Sequence, residues 1–270
     1  MTNTAATKPT KNIIAFYILT FILSLPIYLL AFFVPPEMAM LVGLMLTLAP
    51  ISAALILTFR QDRSAGAKKL VSRAFDFKRI PHAKWYLAII FLWPLIFSLA
   101  LVLLVILGEP VPNPVFPVIA APLGLLVFFF LALFEEVGWM GYAFDPMENR
   151  WNALLASLVL GAIWAVWHLP IYIAGPENAV WIAGQIITLV VARVMIVWIF
   201  NNAGKSLFAA ILFHAVYNVC TMVFPVYGSS FGPAITAGIA LLVAVIVIFL
   251  WGPDTLAQYK FSAGKMRRVT

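Results

Sequence analysis

Long apolar runs alternate with short polar, proline-rich or glycine-rich breaks along the 270-residue chain. A membrane-spanning helix needs about 20 predominantly apolar residues, and eight runs reach that length. We predict spans at residues 12–34, 37–59, 84–108, 116–143, 151–174, 179–200, 205–226 and 231–251. Turn residues separate them, at Pro35-Pro36, Gly108 to Pro114, Asp145-Pro146, Gly175-Pro176, Asn201 to Gly204 and Gly228 to Gly232. The pattern predicts an all-α, polytopic membrane bundle of about eight helices.

The one sizeable polar segment between these runs is the loop 60–84. Apolar residues such as Leu70, Val71 and Phe75 recur among its cations, which is typical of a short amphipathic helix lying on a membrane surface.

Composition supports the membrane assignment, because 64% of the residues are hydrophobic and only 10% are charged. A soluble domain carries about a quarter charged residues. The lone cysteine, Cys220, excludes an internal disulfide and a cysteine-based zinc cluster. The net charge of +7 does not indicate nucleic-acid binding, because its distribution has a better explanation.

Cations orient membrane spans, since Lys and Arg accumulate on the cytoplasmic side. Every Lys and Arg except Arg193 falls in the N-terminal tail, the loop 60–84, the turns after spans four and six, or the C-terminal tail. We therefore predict an integral protein of a bacterial plasma membrane with both termini cytoplasmic. Residues 1–11 and 252–270 would be tails, and the transmembrane domain 12–251 would include a catalytic core at 116–226.

Few ionisable residues lie within the spans: Glu135, Glu136, His168, Arg193 and His214. Each charge at bilayer depth costs about 2.5–3.5 kcal/mol on insertion scales, so such groups usually face one another or a cavity. Counting from the cytoplasmic turns places all of them, with Asn218, roughly 13–25 Å deep. We predict one site, in the cytoplasmic half of the bundle or near its midplane.

This set of side chains suits hydrolysis. A carboxylate with an imidazole polarises water for attack on a carbonyl, directly or through a metal. His214 and Asn218, four residues apart on one helix face, are placed to donate hydrogen bonds to an oxyanion. The alternatives are a proton or cation path along the glutamates, buried packing histidines, and Asn218 as an interhelical hydrogen-bonding residue.

Three segments carry a family resemblance: "EEVGWM" from Glu135, "WAVWH" ending at His168, and "HAVYN" from His214 to Asn218. They resemble the EExxxR, FxxxH and HxxxN pattern of the CAAX protease and bacteriocin-processing family of intramembrane proteases, also called the Abi family. Trp164 stands where that pattern has Phe. The "APISAA" segment at Ala49-Pro50 also looks like the family's second helix.

The resemblance implies an eight-helix bundle with a cavity open to the cytoplasm and a peptide or membrane-protein segment as substrate. Glu135 and His168 would activate water, His214 and Asn218 would stabilise the oxyanion, and Glu136 would support them. Zn²⁺ held by Glu135, His168 and His214 is the implied cofactor, with metal-free activation as the alternative.

One position departs from the pattern, because Met140 replaces its arginine. That arginine would pair with Glu136 one helical turn away. Arg193 is the remaining cation at bilayer depth, and we predict that it pairs with Glu136 from span six. The alternative is a protonated Glu136, which an apolar site also favours.

Two other functional classes stay open at this level. A non-catalytic immunity or peptide-binding protein could keep the same cavity, and the missing arginine favours it. A proton-coupled transporter would show inverted repeats and broken helices, and neither is evident in the sequence.

Overall fold

The computed structural model describes residues 9–260, with side chains from residue 13 onward. Within that range the chain is helical throughout and contains no strand. The helices are α1 (Pro9–Phe33), α2 (Pro36–Gly43), α3 (Leu48–Ser72), α4 (Lys84–Ile106), α5 (Ala121–Gly138), α6 (Asp145–Arg150), α7 (Ala153–Ala174), α8 (Ala179–Asn202), α9 (Leu207–Val223) and α10 (Gly232–Trp251).

Seven helical stretches in the described range are long and apolar enough to cross a membrane, and α9 is a shorter apolar helix of 17 residues. The all-α bundle of about eight crossing helices is therefore confirmed. Helices α8 and α9 occupy its centre, since most of their side chains are buried. The polar residues predicted for the site lie on α5, α7, α8 and α9.

The break predicted at Asp145-Pro146 is wrong. The helix that carries the two glutamates continues through a π-helical segment, Trp139–Phe144, into α6. Pro146 is tolerated there because it lies in the first turn of α6, where its missing N–H costs little. The chain turns at Trp151-Asn152, where the Asn152 side chain accepts the N–H of Leu155 at 2.7 Å and caps α7.

The amphipathic helix predicted in the loop 60–84 forms the end of α3. Helix α3 is interrupted at Arg63, whose φ of 56° and ψ of −156° are not helical. Residues 64–72 therefore form a separate helical segment after a bend. Phe75 and Phe77 follow it and stay about half exposed, while contact with a membrane surface stays a prediction.

The turns at one end of the bundle are joined by polar contacts. Ser206 donates to Asp76 at 2.7 Å, and the Lys205 ammonium lies 2.7 Å from Glu148 Oε2. We call this the basic end, comprising residues 60–84, 145–153, 201–207 and 252–260.

The segment after α10 is part of this end. The backbone carbonyls of Asp254 and Pro253 accept the N–H groups of Ala153 and Leu154, at 2.8 and 3.0 Å. Leu256 is fully buried beneath it. The first turn of α7 is thus completed by backbone about 100 residues later in the chain.

The remaining loops meet at the other end. The N–H of Phe116 donates to the carbonyl of Met222 at 3.0 Å, and the indole of Trp181 donates to the carbonyl of Tyr227 at 2.8 Å. We call this the opposite end, comprising residues 34–36, 107–120, 175–178 and 224–232.

Helix α5 approaches α3 very closely beside the glutamates. A Cβ atom added at Gly138 would lie 2.7 Å from both Cβ and the carbonyl oxygen of Pro50. Only glycine allows this backbone contact, because small residues are what let transmembrane helices pack closely. The contact fixes the position of Glu135 and Glu136 relative to α3.

Candidate active site

A cavity of about 110 Å³ lies among α5, α7, α8, α9 and the segment that joins α2 to α3. Four of the predicted catalytic residues line it together: Glu135, His168, His214 and Asn218. The fifth, Glu136, is completely buried and is not among the lining residues. The two adjacent glutamates therefore have different environments.

Glu135 faces the cavity and is held by a tryptophan. The indole Nε1 of Trp164 donates to Oε2 of Glu135 at 2.8 Å. Phenylalanine, which the family pattern has at this position, has no N–H to donate. A hydrogen bond to a buried carboxylate is stronger than one between neutral groups, so Trp164 also fixes the direction of the carboxylate.

Glu136 lies at the centre of a buried ionic network. Nη1 of Arg193 is 2.6 Å from Oε2 of Glu136, and Nδ1 of His214 is 2.9 Å from Oε1. The predicted pairing of Arg193 with Glu136 is confirmed. The guanidinium also lies over the ring of Trp164, with Cζ 4.2 Å from the ring centroid. Arg193 thus contacts Glu136 directly, and it contacts Trp164, whose indole binds Glu135.

Met140 is completely buried among apolar side chains. It belongs to the π-helical segment, where the turn is wider than in an α-helix. Residues four apart across positions 136 to 140 are therefore not stacked as they would be in a regular α-helix.

The tautomers of both histidines follow from their partners. Nδ1 of His168 lies 2.9 Å from the backbone carbonyl of Trp164, and Nδ1 of His214 contacts Glu136. A carbonyl or carboxylate oxygen only accepts, so Nδ1 carries the proton in each ring. A neutral His168 or His214 then has an acceptor lone pair at Nε2. His214 would donate to an oxyanion only as an imidazolium.

The predicted zinc ligands are Glu135, His168 and His214. A carboxylate with two imidazoles is a familiar zinc set, and a bonded Nδ1–H is typical of a ligating histidine. Yet the described residues include no group of three or more His, Cys, Asp or Glu side chains arranged to hold a metal ion. Zn²⁺ at Glu135, His168 and His214 therefore stays a prediction.

The cavity runs toward the opposite end of the bundle. Beyond the catalytic set it is lined by Tyr172 near the end of α7, by Met222 near the end of α9, by Tyr227, and by Met40 in α2. Its lining includes no residue of the basic end. The loop 60–84 was predicted to be cytoplasmic, and the family resemblance implied a cavity open to the cytoplasm. The lining places the cavity nearer the opposite end, and the orientation in the membrane stays a prediction.

The predicted depth of roughly 13–25 Å from the basic turns agrees with the position of His168 in α7. His168 is six residues from the last residue of α7 and 15 from the first. At 1.5 Å per residue it lies roughly 9 Å from the opposite end of its helix, so it is not in the half nearer the basic end.

Two comparisons bear on this site. Residues 117–220 match the family model described as type II CAAX prenyl endopeptidase Rce1-like. This chain is similar to the Rce1-like family. It is also 27% identical over 228 residues to CAAX prenyl protease 2 of Methanococcus maripaludis, covering 77% of this chain and 80% of the relative. The predicted resemblance to CAAX proteases is confirmed, and it supports a membrane-embedded protease.

The matched segment contains all of the predicted motif residues, from Glu135 to Asn218. Sequence reasoning missed two contacts within it. Trp164 was noted only as standing where the pattern has Phe, and the hydrogen-bond donor that its indole adds was not recognised. The bond between His214 and Glu136 was also missed, because His214 was assigned to the oxyanion.

Proposed function

We propose that the protein is an intramembrane endopeptidase in which Glu135 and His168 activate a water molecule. The observation that supports this most is the convergence of Glu135, His168, His214 and Asn218 from three helices on one cavity. Burying polar side chains at bilayer depth costs free energy, so a group of them in one place indicates a function.

In this mechanism Nε2 of His168 accepts a hydrogen bond from the water and orients it. The carboxylate of Glu135 takes the proton as the water oxygen bonds to the scissile carbonyl carbon. The amide of Asn218 donates to the oxygen of the tetrahedral intermediate. When the C–N bond breaks, the proton passes from Glu135 to the leaving nitrogen.

Glu136, Arg193 and Trp164 position this machinery without contacting substrate. The Arg193 pair neutralises Glu136, so Glu135 acts beside a compensated charge. Arg193 thus takes the place of the arginine that Met140 replaces. The missing arginine therefore no longer favours a non-catalytic protein.

The substrate we propose is a peptide or membrane-protein segment that is apolar around the scissile bond. The cavity lining contains Glu135 as its one carboxylate and no lysine or arginine. The named relative is a CAAX prenyl protease, and a lipid-bearing segment fits the same apolar lining. Zn²⁺ at Glu135, His168 and His214 stays a proposal, tested by metal analysis of the purified protein beside the His168→Ala variant.

The test is comparison of membrane-protein termini in cells that express wild type or Glu135→Gln. New termini that appear with wild type and disappear with Glu135→Gln support the protease. Thermal unfolding of the purified variants serves as the folding control. Identical termini, with both proteins folded at equal levels, would contradict the proposal and favour a peptide-binding or transport function.

A further inference from the structure

The two ends of the bundle differ in charge. Within residues 13–260, whose side chains the structure describes, every Lys and Arg except Arg193 belongs to the basic end: Arg60, Arg63, Lys68, Lys69, Arg73, Lys78, Arg79, Lys84, Arg150, Lys205 and Lys260. At the opposite end, the described charged residues are Glu109 and Glu177, and Glu37 lies next to it in the first turn of α2. Contacts across the turns, such as those of Ser206 with Asp76, place the cationic segments at one face of the bundle.

This asymmetry sets an orientation. Lys and Arg in short loops are retained on the cytoplasmic side, whereas acidic residues contribute little to topology. Eleven described cations at one end and none at the other place the basic end in the cytoplasm. The opposite end then lies at the extracytoplasmic face.

The cavity belongs to that extracytoplasmic half. On α7 its lining proceeds from Trp164 to Tyr172, toward the end of the helix. On α9 it proceeds from His214 to Met222, and Met222 bonds through its carbonyl to the extracytoplasmic loop.

Buried side chains fill the other side of the catalytic layer. Glu136, Met140 and Phe144 follow one another toward the basic end and are completely buried. The ionic contacts of Lys205 with Glu148 and Asp145 lie beyond them. None of these residues lines the cavity.

We propose that the catalytic cavity receives its substrate from the extracytoplasmic face of the membrane. The substrate class is a peptide segment exposed on that face, apolar and without charge near the scissile bond. Exported peptides and the outer portions of membrane proteins have this chemistry. The inference that a substrate enters the cavity rests on the proposed function. The side on which the cavity opens does not depend on that function.

Cysteine labelling in intact cells tests the side directly. In a Cys220→Ser background, Ser230→Cys marks the opposite end and Ser64→Cys marks the basic end, each by exchange of one atom at an exposed position. Thr221→Cys marks the cavity wall and lies outside the catalytic set. A small membrane-impermeant thiol reagent should label Ser230→Cys and Thr221→Cys in intact cells, and Ser64→Cys only after permeabilisation.

Labelling of Ser64→Cys in intact cells with protection of Ser230→Cys would overturn the orientation. Thr221→Cys reacting only from the side of Ser64→Cys would overturn the opening. If Thr221→Cys reacts from neither side, Leu44→Cys, a partly exposed lining position, provides the second measurement, and its failure also overturns the opening. Because labelling needs no turnover, a protein that labels as expected but cleaves nothing contradicts the proposed function alone.

Discussion

Arg193 on α8 forms a 2.6 Å contact with Glu136 on α5, and both side chains are completely buried. Removing one partner of such a pair leaves an uncompensated charge, which costs about 3–5 kcal/mol. We expect Arg193→Ala to lower the thermal unfolding midpoint strongly. The double variant Glu136→Gln with Arg193→Met should be more stable than Arg193→Ala, because neither charge remains. Equal stability of the two would mean that the contact is not an ion pair.

Removing the carboxylate that lines the cavity should separate chemistry from folding. Glu135→Gln keeps the side-chain shape and the acceptor for the Trp164 indole, so we expect normal unfolding and no measurable cleavage. Loss of the fold in Glu135→Gln would indicate a structural role for this residue instead.

The indole of Trp164 gives a finer test of positioning. Trp164→Phe removes a hydrogen bond to a charged group, worth about 1.5–3 kcal/mol, and keeps an aromatic ring. We expect kcat to fall roughly tenfold or more with KM little changed. Trp167→Phe is the matched control, since its indole donates to Ser24 and not to the cavity. Equal losses in both variants would assign the effect to packing.

The contact between α5 and α3 predicts a position-specific glycine effect. Gly138→Ala places a methyl group against the Pro50 backbone, and such overpacking costs roughly 1–3 kcal/mol. Because the displaced helix carries Glu135, activity should fall with stability. Gly124→Ala on the same helix meets Val219 at an ordinary 3.8 Å and should be neutral. If Gly138→Ala proved as stable and active as Gly124→Ala, α5 could shift at this contact without cost.

Lys205 predicts a dependence of stability on alkaline pH. Burial lowers its pKa, but the hydrogen bonds to Glu148 and Asp145 outweigh burial, so the pKa lies above its ordinary value of 10.5. A raised pKa contributes stability that is complete below about pH 10.5 and is lost as the pH rises through the folded value. Lys205→Met should therefore be less stable than wild type by a constant amount near neutral pH. The difference should shrink above about pH 10.5. Lys78→Met, at an exposed lysine outside the contacts with Glu148 and Asp145, is the matched control.

The sequence could predict features that follow from the free energy of moving side chains into the bilayer and from the number of charged residues in each segment. Apolar run lengths located the spans, and the pairing of Arg193 followed because no other cation lies at bilayer depth. The π-helical turn after Gly138 was not visible, since no residue in Trp139–Phe144 demands it. The direction in which the Trp164 indole points depends on packing around it, and so does the end toward which the cavity runs. Those two features carry most of the proposed chemistry.

The backbone contacts between residues 253–254 and the start of α7 have a consequence for biogenesis. Ribosomes deliver α7, which carries Trp164 and His168, well before the segment that completes its first turn. Until residues 253–254 emerge, two N–H groups of α7 lack these carbonyl partners. Helix α10 and the turn after it therefore complete the bundle late in synthesis. An incompletely translated chain would contain the catalytic helices without the backbone contacts that complete α7.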